Sequence, residues 1–371
     1  MPRARELAEL ATSYDSGGLP GMRNRIINGD MRIDQRNNGA SKTITDTGAN
    51  TYTLDRWFAY GNNASKFSVQ QNAGSVTPPA GFTNYLGVTS LAATTVASGD
   101  QYIIGQAVEG FNAADLAWGT ASAATITISF KAYSSLTGTF GGAFRNSAGT
   151  RSYPFTFSVS AANTWETKSI TVAGDTSGTW LTNNGVGLYL YLGLGVGSTY
   201  LGTAGAWAGA LYTSATGATN VVATNGATFY ITGVQLEKGS TATSFDYRPY
   251  GTEYDLCRRY CEVYNGSSEA DVIPQGIAGV DVNNRPEINV TYYPKRAAPA
   301  VTIDSVANCR LITMANTTIT PTAYNGTSIG AGIRGSNLYF SCSSGVTANS
   351  LSGIVYLFFN ATNKMTIDAE L

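Results

Sequence analysis

The chain has 371 residues, of which 43% are hydrophobic and only 13% charged, against about 25% charged in an average soluble domain. With 23 basic and 24 acidic residues the net charge is −1, so nothing answers a phosphate backbone and nucleic-acid binding is not expected. Histidine is absent, which excludes Ser-His-Asp and Cys-His catalysis and His-based zinc sites and leaves carboxylate-driven hydrolysis as the enzymatic alternative.

Residues 1–22 open the chain. Ala4, Leu7, Ala8 and Ala11 fall at i, i+3, i+4 and i+7, which predicts a short amphipathic helix, and Ser16-Gly17-Gly18-Leu19-Pro20-Gly21 ends it. A helix this short is marginal alone and needs a surface to dock on; a larger assembly is the expected one. Charges stand where a signal peptide needs an apolar core, and no run of 18 apolar residues occurs. Neither ordinary secretion nor membrane insertion is therefore expected.

Residues 23–248 are predicted as one large β domain. Asn28-Gly29 reads as a turn. Met31, Ile33 and Gln35 alternate with Arg32, Asp34 and Arg36, which predicts a strand with one apolar face. Asp55 and Arg56 are expected to form a surface ion pair in a turn before Trp57 and Phe58. Trp57, Trp118 and Trp165 are assigned to the core. In residues 126–133, Ile126, Ile128, Phe130 and Ala132 face a core, while Thr127, Ser129, Lys131 and Tyr133 face away. In residues 186–193 the aliphatic side chains hold one face. Tyr189 and Tyr191 share the other, about 7 Å apart along the strand. Residues 229–237 read as a third strand. Strands separated by Gly- and Asn-rich turns, with no helical period between them, predict a mostly β fold with a jelly roll or sandwich in the middle.

Residues 249–264 are predicted as a connecting helix, with Tyr254, Cys257, Cys261 and Tyr264 on one stripe and Arg258, Arg259 and Glu262 off it. Residues 265–371 return to a β pattern, with strand-like runs at 288–292, 337–341 and 353–359, and are expected to form a smaller β-sandwich domain. Cys257, Cys261, Cys309 and Cys342 are expected as buried free thiols, since the one-turn spacing of the first two suits a disulfide poorly. No calcium-loop spacing appears, and no metal or cofactor is expected.

A series of short motifs runs through the chain in order. Asn24-Arg25-Ile26-Ile27-Asn28-Gly29-Asp30-Met31 and Gln35-Arg36 come first, then Asp55-Arg56-Trp57. Gln106-Ala107-Val108-Glu109-Gly110 and Leu116-Ala117-Trp118-Gly119-Thr120 follow, then Gly233-Val234-Gln235-Leu236-Glu237 and Leu256-Cys257-Arg258-Arg259-Tyr260. Tyr293-Pro294-Lys295-Arg296-Ala297-Ala298-Pro299 and Asp368-Ala369-Glu370-Leu371 complete it. This series resembles a widespread family of phage and prophage tail-fibre or fibre-like virion proteins with a carbohydrate-binding-module-like jelly-roll domain. The resemblance implies a structural virion protein made in the host cytoplasm. It implies attachment to other virion proteins through the N-terminus, with Arg5, Leu7 and Leu10 as the anchoring candidates, and assembly as a homotrimer.

The expected activity is adhesion to a host-surface polysaccharide without catalysis. Sugar binding on a β-sandwich needs aromatic platforms for the apolar ring faces and polar groups for the hydroxyls. Tyr189 and Tyr191 lead the candidates; Tyr133 and Lys131 share their phase on another strand, and Trp180 and Trp207 lie in Gly-rich, loop-like stretches. One alternative is a head-fibre, decoration or adaptor subunit whose aromatic faces are buried in the assembly. Another is a glycan-degrading tailspike, which needs two carboxylates about 5–10 Å apart. Asp100, Glu109, Asp115, Glu166 and Asp175 are available, but no spacing joins any two.

Overall fold

A computed structural model describes residues 23–265, 275–280, 286–312, 318–319, 321–327, 332–342, 356–359 and 363–371. The helix expected in residues 1–22, with Arg5, Leu7 and Leu10, lies outside the described residues. The chain forms two compact units, residues 1–253 with Leu371 and residues 254–370.

The first unit is a jelly-roll sandwich. Its strands in chain order are β1 Lys42–Thr43, β2 Thr51–Tyr52, β3 Trp57–Gly61, β4 Phe67–Gln71, β5 Leu86–Ser90, β6 Gln101–Glu109 and β7 Ile126–Ser134. They continue as β8 Gly138–Arg145, β9 Ser152–Val159, β10 Glu166–Val172, β11 Val186–Val196, β12 Leu201–Gly202, β13 Ser214–Ala215 and β14 Thr228–Lys238. One six-stranded sheet has the order β1-β4-β5-β14-β7-β10 and the other β2-β3-β6-β11-β8-β9. All pairings within these two sheets are antiparallel. Chain neighbours such as β5 and β6, or β10 and β11, lie in opposite sheets.

The two-residue alternation sets what lies between the sheets. Ile126, Ile128 and Phe130 of β7 meet Phe140 and Phe144 of β8, Leu188, Leu190 and Leu192 of β11, and Phe229 and Ile231 of β14 in one buried cluster. Each such side chain gains about 1.5–3 kcal/mol by leaving water. Phe130 meets Phe157 edge-on at 5.0 Å, and Phe140 stacks on Phe229 at 5.5 Å.

Residues 31–36 are a correction to the sequence reading: they form no strand. Met31 and Ile33 are buried as their alternation predicts, but side chains satisfy the backbone in place of a ladder. Asn28 brackets Ile33, accepting its N–H at 3.0 Å and donating to its carbonyl at 2.8 Å. Asp55 accepts from the Gln35 amide N–H at 2.7 Å. The same device runs back through the motif: Gln106 accepts from Ile27 N–H and donates to Ile27 carbonyl, and Asn24 donates to Val234 carbonyl. Gly29 is required there, because a Cβ would stand 2.2 Å from the Val234 oxygen. Asp55 and Arg56 are a second correction. Both are about 1% exposed, not a surface pair, and Arg56 donates to the Ala107 carbonyl. Buried polar groups need such partners, which explains why Asn, Gln, Asp and Arg recur in these motifs. They hold the sandwich together.

Helix α1, Tyr250–Arg258, follows in the chain, and the second unit holds strands β15 Cys261–Asn265, β16 Gln275–Val280, β17 Pro286–Thr291, β18 Ala300–Ile303 and β19 Cys309–Ile312. After them come β20 Thr318–Ile319, β21 Pro321–Thr327, β22 Gly335–Cys342, β23 Tyr356–Phe359 and β24 Lys364–Asp368. They form antiparallel sheets of order β15-β24-β18, β16-β17-β22-β21 and β20-β19-β23. Ile288, Val290, Leu311, Leu338, Phe340, Met365 and Ile367 fill the core. The helix expected over 249–264 ends at Arg258. Residues 261–265 instead pair with β24, Cys261 opposite Asp368 and Tyr264 opposite Met365. The i,i+4 spacing of Cys257 and Cys261 suits a helix, but the distant strand partner overrides it. Glu262 is held below the usual carboxylate range: burial opposes this, and hydrogen bonds from Tyr264, Arg258 and Lys295 outweigh it. Cys257, Cys261 and Cys309 are buried free thiols, and burial pushes Cys309 up to about 11.

Candidate functional site

Each sheet of the sandwich carries aromatic rings on its outer face, and the two faces differ. On the first sheet, Tyr230 of β14 stands opposite Gly87 of β5 and Tyr133 of β7. Tyr133 stacks on Tyr230 at 5.2 Å with rings 5° apart, and Tyr230 stacks on Tyr85 at 5.1 Å. The segment 72–85 lies over this stack. Gly87 lets it sit, since a Cβ there would come within 2.5 Å of the Ala73 Cβ. The Tyr85 hydroxyl donates to Ala73 carbonyl and accepts from Val76 N–H at 2.9 Å. Trp165, assigned to the core by its sequence, belongs here instead. It is half-buried on the outer face, touches Tyr85 and Tyr133, and donates from Nε1 to Thr77 carbonyl at 2.9 Å. Lys131 donates to Thr167 across the β7–β10 pair at 2.6 Å. Segment 72–85 covers Tyr85 and Tyr230, while Tyr133 and Trp165 stay half-buried at its edge.

On the second sheet the rung is Phe58 of β3, Gly105 of β6, Tyr191 of β11 and Ala143 of β8. Gly105 leaves room for the Phe58 ring, which a Cβ would approach to 2.9 Å. Phe58 meets Tyr52, Tyr189 and Tyr191 edge-on at 5.9, 6.3 and 6.0 Å. Tyr189 and Tyr191 stack at 5.3 Å. As the alternation predicts, both lie outside the main core, but Tyr191 is only 4% exposed and is not an open platform. Burial pushes its phenol well above the ordinary value. The upper layer is half-buried Tyr52, Tyr60, Tyr189, Tyr200 and Leu201.

Arg145 ends β8 opposite Tyr189, and its guanidinium lies 4.7 Å over the Tyr189 ring and 5.2 Å over the Tyr191 ring. Its Nε is buried without a partner, and no carboxylate pairs with it among the described residues. The hydroxyls of Tyr60, Tyr189 and Tyr200 likewise find no hydrogen-bond partner among the described residues. The Tyr52 end is closed, since its hydroxyl donates to the Leu371 carbonyl at 2.6 Å. The candidate site is therefore the half-open patch around Tyr189 and Arg145; Tyr60, on β3, lies on the far side of the Phe58–Gly105–Tyr191 rung. Arg145 was missed in the sequence. Alternation along β8 puts it outward, but nothing local says that it lacks an acid among the described residues.

Trp180 and Trp207 are not on this patch. They pack edge-on with Trp118 at 4.7 and 5.2 Å. All three indoles turn inward, donating to Ser177, Ala173 and Ala124 carbonyls. The acids weighed for hydrolysis are each engaged. Asp115 takes both Arg25 nitrogens at 2.7 and 2.8 Å, and Asp175 takes Arg151 at 2.6 and 2.8 Å. Glu166 accepts from Lys168 and two backbone N–H groups, Asp100 from Ala97 N–H, and Glu109 is buried at the end of β6. A separate shallow cleft is lined by Asn24, Asp30, Arg32, Asp246, Arg248 and Glu253. Its charges pair internally, Arg32 with Asp30 and Arg248 with Glu253. Burial raises Asp30, Arg32 opposes this, and Glu253 adds to it.

No family model and no curated protein matches the chain. Among solved structures, it is similar to a candidate sugar-binding protein from Bacteroides thetaiotaomicron at 13% identity and TM-score 0.34, over 58% of this chain and 100% of that one. It is similar to the family 11 carbohydrate-binding module of a Clostridium thermocellum cellulosomal cellulase at 11% identity and TM-score 0.27, over 55% and 97%. It is also similar to the enzymatically active domain of bacteriophage CBA120 tailspike protein 4 at 10% identity and TM-score 0.30, over 58% of this chain but 22% of that one. The jelly-roll assignment rests on the strand order and register of this chain.

Proposed function

We propose that this chain is a structural virion protein of the tail-fibre kind, whose sandwich adheres to host-surface glycan through the outer face of its second sheet. The virion role rests on the motif order shared with phage fibre proteins. In this reading residues 1–22 join the particle, the chains assemble as a homotrimer, and no catalysis takes place. One observation carries the adhesive role. Around Tyr189 the rings are backed by a rigid sheet, while the Tyr60, Tyr189 and Tyr200 hydroxyls and the Arg145 guanidinium have no partner among the described residues. Hydroxyls that both donate and accept, set beside ring edges, suit a polyhydroxylated ring. The acids that hydrolysis would need are engaged in structure, which supports binding over turnover.

The burial of Tyr191 favours a second reading, a head-fibre or decoration subunit in which the patch packs against another virion chain. One experiment separates the two. The full chain is applied to a glycan array, and Tyr189→Ala is compared with the parent in host-cell adsorption. Adhesion predicts array hits and a loss of binding on the order of tenfold, the scale of one aromatic contact of about 1–1.5 kcal/mol. A blank array with unchanged adsorption would leave the packing role.

A further inference from the structure

We infer that the glycan taken by this patch is anionic, its acidic group held by Arg145; the inference rests on the adhesive reading above. Five other arginines that are buried or half-buried have acids, and Arg23, Arg56 and Arg296 donate to carbonyls. Arg25 has Asp115, Arg32 has Asp30, Arg151 has Asp175, Arg248 has Glu253 and Arg258 has Glu262. Arg145 has none among the described residues, although it too is half-buried. Its Nε is closed off, and its terminal nitrogens are neither buried nor hydrogen-bonded, so they face solvent. A cation stacked on tyrosine faces keeps its fork free at the edge, and that fork matches a carboxylate or sulfate with two parallel hydrogen bonds.

The cation is also held in place. Asn146, the next residue, is fully buried, and its side chain accepts from Thr150 and Arg151 N–H and donates to Thr179 carbonyl, locking the β8–β9 hairpin. Ser152, opposite Arg145 in that hairpin, ties down the 208–210 segment through Ala208 and Ala210. Tyr189 and Tyr191 fix the guanidinium plane from below. A charge positioned before the ligand arrives loses little freedom on binding. Beside it the Tyr189 hydroxyl would meet the sugar hydroxyls. The selected chemistry is therefore a saccharide with an acidic group on the ring that the tyrosines touch.

The test uses the full chain and an array of uronic-acid oligosaccharides, each paired with its carboxyl-reduced counterpart, together with sulfated neutral chains. Hits are expected on the acidic members, at least tenfold over their reduced partners, weakening as salt rises. The sulfated arm distinguishes the two sources of negative charge. Arg145→Gln should abolish the preference, and Arg145→Lys should restore only part of it, because an ammonium keeps the charge and loses the fork. A thermal melt shows that both variants fold. Equal binding to acidic and reduced sugars, or an unchanged preference in Arg145→Gln, overturns the inference and leaves glycan adhesion standing. A folded protein that binds nothing on the array overturns the adhesive reading itself.

Discussion

The two outer faces of the sandwich start from the same pattern and end differently. Each has a rung in which a glycine stands beside a tyrosine, Gly87 with Tyr230 on the first sheet and Gly105 with Tyr191 on the second. On the first, the space over the glycine takes Ala73, and the segment carrying it closes over the rings. On the second, the space takes the Phe58 ring, a side chain of the same sheet. The upper layer is then left as half-buried tyrosines with a cation that has no acid among the described residues. The faces thus differ in what lies over the rings, a segment of the same chain over Tyr85 and Tyr230 and a cation over Tyr189 and Tyr191. The covered face contributes stability; the cation-bearing one offers contact.

The largest expected effect breaks or confirms that division. Tyr85→Ala removes a ring that is 0% exposed and should cost about 3–5 kcal/mol in chemical denaturation, with saccharide binding by the folded fraction unchanged. Tyr189→Ala removes a half-buried ring and should cost roughly 1–2 kcal/mol, well below that range for a fully buried one, while binding falls. If the two substitutions cost the same and affect binding alike, the faces are not distinct.

A smaller effect sharpens the comparison at high pH. Burial raises the phenols of Tyr85 and Tyr230 above their ordinary value. The folded state therefore resists an ionisation that the unfolded chain accepts, so stability is full below about pH 10 and falls as pH rises past it. Urea midpoints measured from pH 8 to 11 should fall at the alkaline end. Tyr85→Phe should shallow that fall, as it deletes one of the groups responsible. A midpoint that rises with pH would contradict this.

Much of the sandwich was legible because its signal is local. Alternation in residues 126–133 and 186–193 fixes which side chains face inward, whatever the partner strand, whereas a bulge at Gly233 shifts the phase within 229–237. Three features were not local. Residues 31–36 alternate like a strand, yet their hydrogen bonds go to side chains at 28 and 55, which no periodicity records. Residues 259–264 continue a helical stripe, yet β24, a hundred residues on, claims 261–265. Trp165 resembles a core residue, and only the distant Thr77 carbonyl shows that it helps seal an outer face. Within the candidate site, Tyr189 and Tyr191 were legible from phase alone. Arg145 was not, because what distinguishes it is the lack of an acid partner among the described residues, and no local pattern records that.

The most direct test of the central claim is an NMR titration of the folded protein with an oligosaccharide selected on the array, followed residue by residue. The account predicts shifts centred on Arg145 and Tyr189, and none at Tyr85 or Tyr230. Shifts centred on residues 72–85 and Tyr133, or on Trp180 and Trp207, would contradict it.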